Sequence, residues 1–142
     1  MLLRLSYVSR IAAPLDADAL HALLRASRAA NVAAGITGAL CHTGSAFLQV
    51  IEGSRSAVNA LYLRIAADRR HRDLELLAYD EISERRFAGW SMGVVNLARV
   101  NPALLLKYAP QVPLDPYTLC APAVQALFDD LIATASIIGE RG

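Results

Sequence analysis

Cysteine is scarce in this chain, and its scarcity removes two common ways of holding a small fold together. The 142 residues include only Cys41 and Cys120, and neither belongs to a Cys-x-x-Cys pair. A disulfide framework or a zinc site is therefore not expected, and a reducing cytosol is the expected compartment. The first residues also lack a basic segment followed by a long apolar run, so no signal peptide is predicted.

Long hydrophobic runs and an excess of one charge are missing as well. The longest apolar runs are far too short to cross a bilayer, and the formal net charge is only +1, with acids and bases mixed. Neither a membrane nor nucleic acid is expected as a partner, because no basic stripe is present to attract phosphates. The length fits one cytoplasmic domain with a sizeable core and a short extension.

The strongest pattern that is present is an apolar stretch at residues 46–53, interrupted by Gln49. Both faces of a strand through these residues are otherwise apolar, which predicts a central strand covered on both sides. A buried amide without hydrogen-bond partners costs about 1–3 kcal/mol. Gln49 is therefore expected either to bond to neighbouring backbone or to face a polar ligand.

The order of the predicted elements indicates the fold. Strands are predicted at residues 2–7, 35–42, 46–53, 74–82 and 90–95, with a turn at 43–45 that makes strands two and three a hairpin. Asp16 and Ser54 are expected to cap two helices, the first ended by Gly35 and the second reaching about Ala67. This order predicts an α+β fold, a ferredoxin-like five-stranded mixed sheet with both helices on one face.

The tail is expected to cover the other face of the sheet. A short helix is predicted at residues 102–108, and Pro122 can begin a longer one. Its apolar stripe would consist of Val124, Leu127, Leu131, Ala135 and Ile138. A seam to a second copy or to a partner is the alternative use of this stripe. The predicted division is a sheet domain at residues 1–96 and a helical extension at residues 97–142.

Polar residues interrupt the apolar faces at positions that would converge. The apolar stripe of the first helix, which includes Leu20, Leu23 and Leu24, turns polar at Ser27 and Asn31. Such a change is ordinary fraying, or it aims hydrogen-bonding groups at whatever lies under the helix. The polar set is predicted to face one space above the sheet, flanked by two isoleucines, in a slot suited to a flat ring. This set comprises Tyr7, Ser27, Asn31, Gln49 and Met92, and the two flanking isoleucines are Ile36 and Ile65.

A charged segment follows the second helix. Arg64 and Asp68 are spaced i,i+4, so they are expected either to pair on the surface or to contact a ligand together. The remaining basic residues of this turn, Arg69, Arg70 and Arg72, are expected to be solvated.

A set of motifs, in a fixed order from residue 5 to residue 92, resembles one family. The motifs are Leu5-Ser6-Tyr7-Val8-Ser9, Ser27, Asn31, Gly35-Ile36-Thr37-Gly38, Phe47-Leu48-Gln49-Val50-Ile51-Glu52-Gly53, Arg64-Ile65-Ala66-Ala67-Asp68-Arg69-Arg70-His71 and Arg85-Arg86-Phe87-Ala88-Gly89-Trp90-Ser91-Met92. The chain is similar in this way to BLUF domains, the flavin-binding blue-light sensor modules. With its terminal helices it resembles the stand-alone members.

The resemblance implies a bound flavin, either FAD or, as alternatives that the ring contacts do not distinguish, FMN or riboflavin. It places Ile36 and Ile65 on opposite faces of the ring and Asn31 at its carbonyl and ring-nitrogen edge. Gln49 would sit between Tyr7 and the flavin. The residues implied for the far edge, the ribityl chain and the pocket mouth are Arg64, Asp68 and His71.

The resemblance also implies a switch. Tyr7 would give an electron and a proton to the excited flavin, and Gln49 would relay the proton and then rotate or tautomerise. Met92 and Trp90 on the fifth strand, where Trp90, Met92 and Val94 are expected to share a face, would read the change. Met92 is favoured as the neighbour of Gln49. The alternative for both residues is ordinary core packing.

The expected output passes from the fifth strand to the tail helices and then to a partner protein. A cyclic-dinucleotide enzyme or a transcription regulator is the partner that the family suggests, and a homo-oligomer is expected from the apolar tail. Two rivals remain, a non-photoactive ferredoxin-like interaction module and a small enzyme. The enzyme is disfavoured because Cys41 and His42 are adjacent on a strand, so they point to opposite faces and form no dyad.

Overall fold

Five strands form one mixed sheet in the order β4-β1-β3-β2-β5 in a computed structural model that describes residues 1–139. Their bounds are β1 Leu2–Ile11, β2 Thr37–His42, β3 Ala46–Ser54, β4 His71–Ile82 and β5 Gly93–Asn96. All pairs are antiparallel except β2 with β5, which run parallel. The predicted ferredoxin-like α+β fold is confirmed, and β5 extends its sheet beyond β2.

Two capped helices lie on one face of this sheet, α1 at Ala17–Ala34 and α2 at Arg55–Ala67. As predicted, Asp16 caps α1 by accepting from the Ala19 N–H at 2.7 Å, and Ser54 caps α2 by accepting from the Ala57 N–H at 3.1 Å. Helix α1 ends at Gly35, whose φ of 70° is left-handed and suits glycine. These caps fix where each helix begins and where α1 ends.

Two buried clusters sandwich the sheet, because alternate strand residues point to opposite faces. On β3, Phe47 and Ile51 pack toward α1 and α2 in a helix-side core, which also holds Tyr7 and Met92. Leu48 belongs to the second cluster, here called the tail-side core. The central strand is thus covered on both sides, as predicted.

The tail supplies the cover on the second face. It contains two 3₁₀ turns, Leu97–Arg99 and Pro116–Thr118, and two helices, α3 at Pro102–Leu105 and α4 at Ala121–Ala133. Phe128 and Leu127 of α4 pack in the tail-side core with Val8 and Leu48 of the sheet. The predicted placement of the terminal helices is therefore confirmed. Among residues 1–139, no helix is long and apolar enough to span a membrane.

The predicted stripe of the last helix is correct for its first three members and wrong for its last two. Because α4 ends at Ala133, helical spacing no longer applies at Ala135, which is exposed with a φ of 54°, or at Ile138, which is 70% exposed. Phe128 and Ile137 are buried instead.

Several strand boundaries also differ from the prediction, and β2 begins at Thr37 rather than at Gly35. Strand β1 continues past Tyr7 to Ile11, and β4 begins at His71, so part of the predicted charged turn is strand. Strand β5 begins only at Gly93, because the Trp90 N–H donates to the Phe87 carbonyl in a turn. The alternation of a strand therefore does not apply to residues 90–92.

Candidate functional site

Two cavities open between α1, α2 and the helix-side face of the sheet. The first measures about 290 Å³ and is lined by residues of both helices and of β1, β2 and β3. The second, about 550 Å³, follows α1. They share Ser27, Gln49, Arg64 and Arg70 in their walls, so they adjoin. Apolar side chains with a few convergent polar groups are typical of a small-molecule site.

A chain of three side chains crosses the floor of the first cavity. Tyr7 on β1 and Gln49 on β3 are directly opposed across the antiparallel pair, which brings their side chains together on one face. The Tyr7 hydroxyl donates to Gln49 Oε1, and Gln49 Nε2 donates to Met92 Sδ at 3.3 Å. The Gln49 amide is thus bonded to side chains at both ends, with its carbonyl toward the phenol and its nitrogen toward the thioether.

Burial determines the state of the phenol. Tyr7 is 2% exposed, and the loss of hydration, added to by Tyr62 and Asp68, raises its pKa well above the usual range. The hydroxyl is therefore protonated at neutral pH and acts as the donor to Gln49. Any chemistry that removes its proton must supply an acceptor next to it.

The polar end of the α1 stripe lines the cavities rather than fraying. Ser27 borders both cavities. Asn31, which is buried, borders the second cavity and donates from Nδ2 to the Ser91 carbonyl at 2.7 Å. Asn31 thereby joins α1 to the segment that carries Met92.

An ion pair closes the far wall of the first cavity. Asp68 accepts from Arg70 Nη2 at 2.6 Å and from Arg70 Nε at 3.0 Å. The hydrogen bond from the Arg70 side chain lowers the pKa of Asp68 to about 2. Arg64 lines both cavities but has no ion-pair partner within residues 1–139. The i,i+4 surface pair of Arg64 with Asp68 is therefore not formed.

Arg70 has a contact that the sequence pattern did not predict. As predicted it is solvated, with its side chain 53% exposed, but it also pairs with Asp68 and lines both cavities. Arg70 lies in the exposed turn directly before β4, which begins at His71, and this position puts it at the cavity mouth. Charge runs alone give no signal that separates Arg70 from Arg69 or Arg72.

His71 lies at the junction of the first cavity and the sheet. Its Nδ1 is 2.8 Å from the Oγ of buried Ser9, and its ring packs against Phe47 at 5.5 Å between centroids. Burial lowers its pKa from the usual value, so the ring is neutral at pH 7. With Nδ1 engaged by Ser9, Nε2 is the nitrogen left for a ligand.

Two predicted site residues, Ile36 and Trp90, line neither of these two cavities. Ile65 lines the first cavity, but Ile36 is buried in the helix-side core and lines a separate cavity of about 210 Å³ with Asn31. Trp90 packs against the tail-side core, whereas Met92 and Val94 belong to the helix-side core. The expected common face of Trp90 and Met92 is wrong, because residues 90–92 are not in a strand.

The residues present suit the flavin that the sequence resemblance implies. An isoalloxazine ring is flat and apolar on its faces, with nitrogen and oxygen atoms along its edges. Leu23, Leu61 and Ile65 offer apolar contacts, while Ser27, Asn31 and Gln49 offer donors and acceptors to such an edge. The combination of flat apolar space and convergent amides fits this ring.

Comparison with known proteins points the same way. The family profile described as "Sensors of blue-light using FAD", BLUF, matches residues 2–93. The photoactivated adenylate cyclase subunit alpha of Euglena gracilis is 37% identical over 84 residues, which are 59% of this chain and 8% of that protein. The chain thus spans a small part of the length of the curated relatives that it matches.

Several solved structures share the fold, BlrB and BlrP1 among them. BlrB, a BLUF protein in its dark state, superposes with a TM-score of 0.79 at 34% identity, covering 94% of this chain and 96% of BlrB. BlrP1 of Klebsiella pneumoniae, in a complex with manganese and cyclic diGMP, superposes with a TM-score of 0.69 at 32% identity. That match covers 95% of this chain and 33% of BlrP1.

Proposed function

Because this chain belongs to the BLUF family of blue-light sensors, we propose that it is a photoreceptor whose switch is the amide of Gln49. The observation that carries the proposal is the bonded series from the Tyr7 hydroxyl through Gln49 to Met92 Sδ. It connects a buried phenol to the residue that precedes β5. A change at one end of this series alters the hydrogen bond at the other.

The cavity residues would hold the flavin. Asn31 and Ser27 would bind its polar edge from α1, and Ile65 would pack on one face, with Ile36 contributing from the core beneath. Arg64, Asp68 and His71 would contact the far edge and the ribityl chain, to which the geometry adds Arg70. When bound, the flavin supplies light absorption and, once excited, a strong electron acceptor. These contacts are common to FAD, FMN and riboflavin, and FAD is the flavin proposed.

Tyr7 is the proposed electron and proton donor. Its pKa is raised by burial, so it gives up its proton only together with an electron, and the Gln49 carbonyl oxygen already accepts that proton in a hydrogen bond. Return of both to Tyr7 restores the phenol. The cycle ends with no net change in covalent structure other than the orientation or tautomer of Gln49.

Rotation of the Gln49 amide has a defined consequence at Met92. In the observed orientation Nε2 donates to the sulfur. After rotation Oε1 would face Met92 Sδ. Both atoms are acceptors and neither carries a hydrogen, so no hydrogen bond can form between them. The hydrogen bond to Met92 is thereby broken, while Nε2 moves to the side of the Tyr7 oxygen. The switch thus releases Met92 directly before β5.

The helical extension is the proposed output element. It shares the tail-side core with the sheet. The proposed boundary between residues 96 and 97 therefore divides the sensor part from the output part of the chain, and does not divide two independently packed units. The partner is proposed to be a nucleotide-signalling enzyme, because relatives include an adenylate cyclase and a protein complexed with cyclic diGMP. Self-association is proposed as well, but not through the apolar stripe of α4, which is buried against the sheet.

Absorption spectroscopy tests the photoreceptor. Flavin-loaded protein is measured in the dark, after blue light and during dark recovery. A small red shift without bleaching that reverses in the dark is the expected result. Bleaching would indicate flavin chemistry of another kind, and a protein that refuses added flavin would leave only an interaction module.

A tyrosine pair sharpens this test. Tyr7→Phe should keep the flavin but abolish the reversible shift, because the proton and electron donor is gone. Tyr62→Phe is the matched control, since its ring lies only 6.0 Å from that of Tyr7 but it makes no hydrogen bond to Gln49. An equal loss in both variants would contradict the specific role of Tyr7.

A further inference from the structure

The backbone of Met92 is held from α1. Arg28 Nε donates to the Met92 carbonyl oxygen at 3.1 Å, one helical position after Ser27. The neighbouring carbonyl, that of Ser91, accepts from Asn31. Arg28 lines neither of the two cavities at the proposed flavin site. It therefore acts on the residue that contacts Gln49 without itself belonging to the flavin site.

A short segment after α4 returns to the same place. The Val94 N–H donates to the Ile138 carbonyl at 2.7 Å, and the Ile138 N–H donates to the Val94 carbonyl at 2.9 Å. This antiparallel bridge lies on β5, the last strand of the sheet. The Ile138 side chain is 70% exposed, so backbone hydrogen bonds rather than side-chain burial hold this residue in place. The segment of residues 136–139 is called the edge segment below.

The edge segment lies against the Arg28–Met92 hydrogen bond. A Cβ added at Gly139 would be 3.2 Å from the Met92 carbonyl oxygen and 3.3 Å from Arg28 Nη2. Gly139 also has a φ of 151°, which side chains rarely adopt. A residue without a side chain therefore lets the edge segment rest on the guanidinium and on the carbonyl at once.

We propose that Arg28 is a positioning residue that couples Met92 to the edge segment, so that the segment's bridge to Val94 follows the state of Gln49. The proposal rests on the proposed function, which releases Met92 when Gln49 reorients. Once the hydrogen bond from Gln49 to the sulfur is broken, the Met92 carbonyl shifts relative to Arg28, and the guanidinium and Gly139 shift with it. The Val94–Ile138 bridge, two residues from Met92, is then weakened.

Hydrogen exchange measures this bridge directly. The full flavin-loaded chain is compared in the dark and under continuous blue light by amide exchange at Val94 and Ile138, with the absorption shift recorded on the same sample. In the wild-type protein, light should accelerate exchange at both amides by about threefold to tenfold, which is the factor expected when one hydrogen bond is lost.

Variants of Arg28 separate coupling from folding. Arg28→Ala should keep the full red shift, because the residue is outside the cavities, yet show fast exchange at Val94 and Ile138 already in the dark, with no further effect of light. Arg28→Lys, which retains a donor for the Met92 carbonyl, should restore the light-dependent difference. Arg25→Ala, on the exposed surface of the same helix, is the matched control and should behave as the wild-type protein does.

Three outcomes overturn the two proposals separately. A wild-type red shift with no light-dependent exchange at Val94 and Ile138 overturns the coupling and leaves the photoreceptor intact. Absence of any red shift in flavin-loaded wild-type protein overturns the proposed function. A light-dependent difference that persists unchanged in Arg28→Ala shows that another residue joins Met92 to the edge segment.

Discussion

Glu52 is the most completely buried charged side chain of the described residues, with no exposed surface. It pairs with Arg4 across the β1–β3 ladder, 2.8 Å from Nη2, and accepts from the backbone N–H groups of Arg86 and Phe87, each at 2.9 Å. The carboxylate thus ties the β4–β5 connection to the centre of the sheet. A charged group is tolerated in the interior of a protein only when ion-pair and hydrogen-bond partners compensate for its lost hydration.

Replacing Glu52 with Gln should destabilise the protein by about 3–5 kcal/mol, since Arg4 loses its counter-charge and an N–H group then opposes backbone donors. Urea-induced unfolding measures the difference. Glu81→Gln is the matched control, because its ion pair with Arg55 is exposed and worth about 0–1 kcal/mol. Equal losses in the two variants would contradict the structural role of Glu52.

The Asp68–Arg70 pair predicts a pH dependence. The pKa of Asp68 in the folded protein, about 2, lies below its ordinary value of 3.8, so its stabilising contribution is present above the ordinary value and lost as the pH falls through about 2. Asp68→Asn should lower the free energy of unfolding near neutral pH by about 1 kcal/mol, a modest figure because Arg70 is half exposed.

The difference between Asp68→Asn and the wild-type protein should shrink as the pH is lowered from about 4 toward about 2. Urea unfolding at a series of pH values measures it. A difference that stays constant over this range would show that the variant acts through packing and not through the charge of Asp68.

At the scale of elements, the end of the chain after α4 offers a direct contrast. Ile137 is 8% exposed and packs in the tail-side core, whereas the neighbouring Ile138 is 70% exposed. Ile137→Ala should therefore lower the free energy of unfolding by about 2 kcal/mol, and Ile138→Ala by less than about 0.5 kcal/mol. Thermal or urea unfolding measures both losses. A larger loss in Ile138→Ala than in Ile137→Ala would indicate that Ile138 packs in the core, as helical spacing predicted.

Sequence periodicity located most elements because each was bounded by a strong local signal. Asp16 and Ser54 marked helix starts, Gly35 marked a helix end, and the alternation of residues 46–53 marked the central strand. The start of β5 could not be predicted from the composition of residues 90–92, which suits a strand. The backbone groups of these residues form hydrogen bonds with Phe87, Gly38 and Asn31 instead of a regular strand ladder. Gly38 and Asn31 are tertiary partners, which no local pattern specifies.

The candidate site was predictable to the same extent. Tyr7, Ser27, Asn31 and Gln49 appear as polar residues in apolar stripes, a pattern that the sequence displays. Arg28 and Arg70 do not interrupt any apolar stripe, so only the packing of α1 and the early start of β4 identify them. Ile36 was placed on the ring by resemblance; it lies in the helix-side core with Tyr7 and Met92, and its contact with the ring stays a prediction.

At the scale of the whole molecule, the tail and the sheet share one buried cluster. Val8 and Leu48 of the sheet are buried under Leu127 and Phe128 of α4. A chain ending at Asn96 would expose this apolar face to water, which typical monomers avoid. Such a truncation should lose cooperative unfolding and aggregate.

Size-exclusion chromatography and thermal unfolding of the truncated chain measure this expectation. The full-length protein is the reference, with both proteins prepared in the presence of excess FAD so that ligand stabilisation is equal. A truncated chain that remains monomeric, unfolds cooperatively and shows the same photocycle would contradict the shared core as a requirement for folding.

The Gln49 amide is the proposed switch, and the light-minus-dark absorption difference of flavin-loaded Gln49→Leu tests it. Leucine is close in size to glutamine but has neither a donor for Met92 Sδ nor an acceptor for Tyr7. The expected result is a bound flavin with no reversible red shift, while Gln111→Leu, on the exposed surface, keeps the wild-type shift. A reversible red shift of wild-type size in Gln49→Leu would show that the Gln49 amide is not the switch.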